Sequence, residues 1–382
     1  MTAATTRVLT FTTLYPNAAQ PVLGVFVENR LRHLAASGEV QAQVVAPVPW
    51  FPVASPVFGQ WGKYAGAPKF EDRHGLRIWH PRYPVLPKIG MTIAPALLYA
   101  WTLPLVRRLK FDVIDAHYFY PDGVAAAMLA RTLGKKLVIT ARGTDLNLIP
   151  RYRLPRAQIR WAAQTAAGIC TVCAALKAPL LEMGIPESKI RVLRNGVDLE
   201  GFRLMERAKP DATTLLSVGL LIERKGHHLV IEALTHLPGT RLMIAGGGPM
   251  RDELEALARR LGVSDRVRFL GEVPHDRLAE IYTSADALVL ASSREGWANV
   301  LLEAMACGTP VVATDIWGTA EVVASPEAGV LVAERSAAAI AQGVQRLLAA
   351  LPDRRATRLY AERFGWEPTT QGQLDMFREV LA

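Results

Sequence analysis

Short β-branched runs and amphipathic helical stretches alternate along almost the whole chain, and that alternation constrains its fold more than any other feature. In the first half, strand-like runs fall at 7–12, 44–46, 113–116, 137–140, 169–172 and 190–193. Helical patterns fall between them at 25–36, 94–109, 124–133, 154–167 and 174–183. Residues 47–90 are rich in Pro, Gly and aromatics and are expected to be irregular. "RNGVDLEGF" (194–202) and the charged, Pro-containing stretch to about 212 break the rhythm and read as a linker. A second series follows, with strands at 215–218, 242–245, 267–269, 287–290 and 311–313 and helices at 228–237 and 250–261 among them. Such alternation gives parallel sheets covered by helices on both faces. The fold class is therefore α/β, with two facing Rossmann-like, doubly wound parallel-sheet domains and a ligand cleft at the carboxyl ends of the strands.

Chemistry is expected in the loops at those strand ends. The most informative is "EGWANVLLEAMACGTPVVAT" (295–314), where two glutamates flank an apolar segment. Asn299 can cap a helix over 300–307, Gly308 fits its left-handed stop, and Pro310 prevents continuation into the strand at 311–313. Glu303 then lies one turn inside a buried helix and Glu295 in the loop feeding it. A carboxylate so placed needs a partner. It either pairs locally or accepts two hydrogen bonds from a ligand's vicinal hydroxyls, as a ribose offers. Amides at the helix start suit a phosphate.

Four more loops carry unusual residues. In "TTLYPNAAQPVLGVFVE" (12–28), Gly24 precedes a helix, where it serves either a phosphate or a plain turn. In "DVIDAHYFYPDG" (112–123), His117 directly follows a buried strand and is either a cleft-facing titratable ring or a satisfied core histidine. "TARGTDLN" (140–147) puts Arg142 and Asp145 at the same edge, where they bind a ligand or merely pair with each other. In "SVGLLIERKGHH" (217–228), Arg224 and Lys225 precede a glycine and a helix; the pair either neutralises a diphosphate without a metal or is a solvated basic loop. "IAGGGPM" (244–250) is a strand, a glycine turn and a helix, but it is not G-x-G-x-x-G and lacks the downstream acidic residue, which disfavours a nicotinamide dehydrogenase.

At 382 residues, half of them hydrophobic, the chain can bury two cores. Its net charge of +9 is unevenly spread. Up to Asn195 there are 24 Lys and Arg against 10 Asp and Glu, a net of +14; the remainder has 20 against 25, a net of −5. The first half should attract something anionic, such as phospholipid, a lipid diphosphate or nucleic acid. Cys170 and Cys173 form a lone C-x-x-C without a second pair, so they read as small core residues rather than a zinc site. Three cysteines suit a reducing cytoplasm. No signal peptide is expected, and the longest apolar run, 93–106, holds two prolines and is too short to span a bilayer.

Taken together, E-x7-E (Glu295, Glu303), "RKG" (224–226), "AGGGP" (245–249), "NGVD" (195–198) and "CGTPVVAT" (307–314) resemble, in order and spacing, the retaining glycosyltransferases of family 4, with the GT-B fold. The stretch 117–150 further resembles members that build bacterial exopolysaccharide or wall polymers. The resemblance implies an acceptor-binding domain at 1–195, a donor-binding domain at 196–365, and a last helix at about 366–382 packing back on the first. It implies that Glu303 holds the donor ribose, Glu295 meets the transferred sugar, and Lys225 stabilises the departing diphosphate, with Arg224 beside it. His117 would contact the sugar or help the acceptor. Gly24, Gly219, Gly248, Pro249, Asn299 and Val300 would line the donor, and Arg142 and Asp145 the acceptor. The expected donor is a nucleoside-diphosphate sugar, with no cofactor and, since no Asp-x-Asp ends a strand, no metal. The expected partners are that nucleotide sugar, a lipid-linked or glycan acceptor and an anionic membrane surface, but no nucleic acid. The expected location is the cytoplasm, peripheral on the inner face of the plasma membrane.

Two departures stand out. Many members carry Arg directly after the strand glycine, where this chain has Leu220. Arg142 stands where many have His, which suggests an acidic group on donor or acceptor. Retention admits a same-face attack or a transient bond to Glu295. A sugar-nucleotide epimerase or hydrolase of the same fold would act on donor without acceptor. A glycogen-type synthase would extend soluble glucan, which the basic, aromatic first domain disfavours. A mere binding protein would not need the paired glutamates.

Overall fold

A computed structural model describes residues 5–85, 90–207 and 211–382. The chain divides into two compact units, Met1–Asn195 with Trp366–Ala382, and Gly196–Gly365.

The first unit is built on an eight-stranded sheet. From one edge its strands are Ile190–Val192, Gly168–Thr171, Lys136–Ala141, Val113–His117, Thr6–Phe11, Val40–Val45, Leu76–Trp79 and Phe70–Arg73. All neighbours run parallel except the last pair. Val113–His117 is buried at every residue, as a parallel strand covered on both faces must be. One face packs on helix Val25–Ala36 and on the C-terminal helix Glu367–Leu381, joining Val27, Leu31 and Leu34 to Leu374, Met376 and Phe377 in one core.

Residues 47–90 are more ordered than expected. They hold a helix, Gln60–Gly66, a short parallel pair, Val48–Pro49 with Arg82–Tyr83, and the antiparallel pair Phe70–Arg73 and Leu76–Trp79. The last two join through the two-residue turn His74–Gly75, with both residues at positive φ. These strands sit at an edge and are four residues or fewer, so they leave little periodicity to read. The helix expected over 94–109 runs from Gly90 to Val106 and contains Pro95 and Pro104.

The second unit carries a six-stranded, wholly parallel sheet in the order Val267–Gly271, Arg241–Ala245, Thr214–Val218, Ala287–Leu290, Val311–Thr314 and Gly329–Val332. Its edge strand Gly329–Val332 was not anticipated. Leu215, Ile244, Val289 and Val312 face helices His227–Ala233 and Ala337–Ala349 in the core. Helix Asn299–Ala306 begins one residue before its expected start. Asn299 is its first residue and not its cap: Ala298 holds the cap position, and no side chain closes it. Gly308 stops the helix at φ +76°, and the chain enters Val311–Thr314.

Candidate active site

Doubly wound sheets place ligands where strand order reverses. In the second unit that point lies between Thr214–Val218 and Ala287–Leu290, whose following loops carry Gly219–Gly226 and Ala291–Ala298. The loops bring together charges 70 residues apart. Lys225 Nζ donates to Glu295 Oε1 at 2.7 Å, Ser292 Oγ donates to the same oxygen at 2.7 Å, and Arg224 Nη1 lies 3.7 Å from Oε2. Arg224 also donates to Arg294 O at 2.8 Å, and Ser293 N to Arg224 O at 2.8 Å, so the two loops are laced together. Burial alone would push the Glu295 pKa up, but Lys225 and Arg224 outweigh it and hold the carboxylate below its usual range. The result is an ionised carboxylate that gathers two cations at the strand ends.

The loop that holds Lys225 is tied from below. His227 accepts from Ser217 Oγ at 2.9 Å and donates to Leu220 O at 3.2 Å, the pairing of a neutral ring. Burial lowers its pKa to about 4. Leu220 itself is exposed, and the stem of Lys225 packs over Gly219. Gly248 approaches the same loop closely. A Cβ there would lie 2.6 Å from Leu221 O, while Leu221 N donates to Gly247 O and Met250 N to Leu221 O. Pro249 follows at the rim of a groove with Ile222, Glu223 and His228. Glu303 accepts from Tyr282 Oη at 2.8 Å and lies 3.6 Å from His275 Nε2. That carboxylate raises the His275 pKa, hydrogen bonding being the main cause. The Asn299 amide donates to Trp297 O at 3.2 Å, and Val300 follows it in the first turn.

In the first unit the order reverses between Thr6–Phe11 and Val113–His117. Asp122 bridges their following loops. It accepts from Thr13 N at 2.8 Å and Thr13 Oγ1 at 3.0 Å, and burial raises its pKa to about 7. Gly24, at φ +67°, starts the next helix hard against the same loop, where a Cβ would lie 2.2 Å from Leu14 O. His117 is wholly buried, with Nε2 3.1 Å from Asp115 Oδ2 and Nδ1 2.6 Å from Arg142 Nη2. Arg142 Nη1 donates to Asn195 Oδ1 at 2.9 Å. The alternative that Arg142 and Asp145 pair through their side chains does not hold. Asp145 accepts from the backbone N–H groups of Phe119, Arg142 and Gly143, so it shapes the loop and leaves the guanidinium to His117 and Asn195. Asp115, Asp122, Arg30 and Gln373 were missed as site-forming residues. The available signal was a carboxylate inside the buried run "VIDA" and an arginine on the apolar face of a helix.

The profile of the family described as Glycosyltransferase Family 4 matches residues 23–200, and that of Glycosyl transferases group 1 matches residues 203–364. A D-inositol 3-phosphate glycosyltransferase from Frankia alni is 31% identical, spanning 94% of this chain and 95% of its own. TuaC, a Bacillus subtilis protein named for teichuronic acid biosynthesis, is 27% identical across 89% of this chain and 88% of its own. The crystal structure of HepE from Anabaena, in complex with UDP-glucose, superposes with a TM-score of 0.72 at 17% identity, covering 98% of this chain and 99% of HepE. The chain belongs to the family 4 glycosyltransferases and has their GT-B fold.

Proposed function

We propose that the protein transfers a sugar from a nucleoside diphosphate to a hydroxyl of a lipid-linked or anionic glycan acceptor, with retention of anomeric configuration, in the synthesis of an exopolysaccharide or wall polymer. The observation that carries this reading is the Lys225–Glu295–Arg224 cluster at the point of strand reversal in the second sheet. Two cations held by one ionised carboxylate suit a diphosphate, which gains charge as its bond to the sugar breaks. Lys225 stabilises that charge, and Arg224, on the same carboxylate, supplies the cation missing at Leu220. Glu303, with Tyr282 already on one oxygen, receives the ribose diol. Glu295 meets the transferred sugar. Gly219, Gly248, Pro249 and the helix start at Asn299 and Val300 line the donor. The first unit, with Gly24, His117, Arg142 and Asp145, serves the closing loop and the acceptor. HepE's complex with UDP-glucose supports a nucleotide-sugar donor, and TuaC's name supports a wall polymer.

In the reaction the anomeric carbon–phosphate oxygen bond breaks. The acceptor oxygen bonds to that carbon on the same face, and its proton passes to the leaving phosphate oxygen. No cofactor takes part and no metal is required. The test is mass spectrometry of products formed from a panel of nucleotide sugars, with and without lipid-linked acceptors, in the presence of a chelator. Acceptor-dependent sugar transfer that survives chelation is expected. Donor turnover without acceptor would replace this reading by an epimerase or hydrolase.

Peripheral docking of the first unit on the cytoplasmic face of the plasma membrane completes the proposal. Phe51 packs on Phe58 and Trp61 at centroid distances of 5.3 and 5.7 Å, and Trp61 on Tyr64 at 5.7 Å, in a cluster open to solvent; Trp50 is 57% exposed and Trp101 50%. Lys63, Arg107, Arg108 and Lys110 are exposed as well. Lys88, expected on the same surface, lies outside the described residues. Exposed aromatics with nearby cations suit an anionic bilayer interface. Among the described residues no helix is long and apolar enough to cross a membrane.

A further inference from the structure

A chain of buried hydrogen bonds runs through the first unit from the C-terminal helix to the end of the strand Val113–His117. Arg30 Nε donates to Gln373 Oε1 at 2.8 Å, and Gln373 Nε2 donates to Asp115 Oδ2 at 2.7 Å. The same carboxylate oxygen faces His117 Nε2, whose ring presents Nδ1 to Arg142. All five side chains are buried.

Both ends of the chain are arginines, which only donate. That fixes every proton between them. Arg30 requires the carbonyl oxygen of Gln373, so the amide nitrogen must point at Asp115. Arg142 requires a lone pair on His117 Nδ1, so the ring proton sits on Nε2 and is donated to Asp115. The links are satisfied with His117 neutral and Asp115 Oδ2 accepting from both Gln373 and the ring. We propose that Gln373 is a positioning residue: clamped between Arg30 and Asp115, it fixes the carboxylate that receives the Nε2–H of neutral His117 and, through that ring, fixes the Arg142 guanidinium at the edge of the site. His117 then holds Arg142 in place and exchanges no proton with substrate. The groups facing its ring agree. Asp115 on its own strand favours the charged form, but burial, Arg142 and Arg30 oppose it, and the pKa falls to about 4. Cys170 on the strand Gly168–Thr171, Asp145 in the loop after Lys136–Ala141 and the Phe26 ring at 5.3 Å also surround Arg142.

The consequence for turnover rests on the transferase reading above; the tautomer does not. The test is long-range nitrogen-15 NMR of the histidine rings in the full-length protein, with His117→Asn to assign the signal, alongside steady-state kinetics. The wild type should show neutral His117 with its proton on Nε2, unchanged from about pH 5 to 8. Gln373→Leu should leave the tautomer to Arg142 but free the Asp115 carboxylate, and with it the ring, to shift, lowering kcat about tenfold to a hundredfold, with the donor KM within about twofold. Gln373→Glu keeps an acceptor for Arg30 but offers Asp115 no donor, so the second carboxylate should move His117 protonation up into that pH range. A wild-type His117 protonated on Nδ1, or titrating near its ordinary value, overturns the proposal. So does a Gln373→Leu protein with wild-type kcat. If neither variant folds, the wild-type spectrum decides. A wild type that transfers no sugar removes the proposed function but not the tautomer result.

Discussion

The two sheets reverse strand order in the same way but build opposite electrostatics at that point. In the second unit, cations on loops lie partly open and share one carboxylate: Lys225 and Arg224 on Glu295, with side-chain exposures of 15%, 29% and 9%. In the first, the arginines are buried, and a neutral histidine and an amide separate them from their carboxylate. A partly open ion pair can exchange its carboxylate for an arriving anion at small desolvation cost. A buried network cannot rearrange without leaving charges unpaired, at several kcal/mol each. The second unit is therefore suited to a ligand whose charge changes during reaction, and the first to holding a fixed geometry.

The largest expected effect tests the open half of this contrast. Lys225→Ala should lower kcat by about a hundredfold to a thousandfold, because the lost donor acts chiefly on charge that develops in the transition state. A donor KM raised by the same factor with kcat untouched would reduce Lys225 to a binding group.

Next comes acid stability, which tests the closed half. His117 and His227 both have folded-state pKa values lowered to about 4, chiefly by burial. The unfolded chain therefore binds more protons between about pH 6.5 and 4, so each ring's contribution is complete above about 6.5 and is lost as pH falls toward 4. The loss should be on the order of 3 kcal/mol for each ring. Urea unfolding at stepped pH should flatten over that window in His117→Asn and His227→Asn. An unchanged slope in both would mean that these rings are protonated in the folded protein.

Glu303→Ala should weaken nucleotide-sugar binding by about 1.5–3 kcal/mol, measured by calorimetry. Unchanged affinity with an intact fold would leave Glu303 as a partner for Tyr282 alone. The smallest effect concerns the exposed face of the first unit. Removing Trp61 or Lys63 should cost about 1 kcal/mol of binding to anionic vesicles, read by sedimentation and lost in high salt. Equal failure of the wild type on anionic and neutral vesicles would point to a soluble anionic acceptor.

Much of the architecture was legible because burial leaves a periodic trace. A short, fully apolar β-branched run such as 311–313, set off by Gly308 and Pro310, reads as a covered parallel strand, and the glycine followed closely by proline marks the helix stop at Gly308. The strand ends, and with them His117 and the loops holding Lys225 and Glu295, follow from that pattern. The edge strands Phe70–Arg73 and Gly329–Val332 escaped because short strands that are not fully buried carry weak periodicity. Asn299 was misplaced by one residue because a cap is defined by backbone angles, which composition only suggests.

By itself, then, the sequence determined the alternation, the positions of the strand ends and the residue types in the loops that follow them. Only the tertiary structure decided who meets whom. Lys225 finds Glu295 across 70 residues, and Arg30 finds Gln373 across 343. Periodicity records whether a side chain is buried, but a hydrogen bond needs donor and acceptor within about 3 Å at a favourable angle. That relation is set by how helices pack on a sheet, and the spacing of residues along the chain does not contain it.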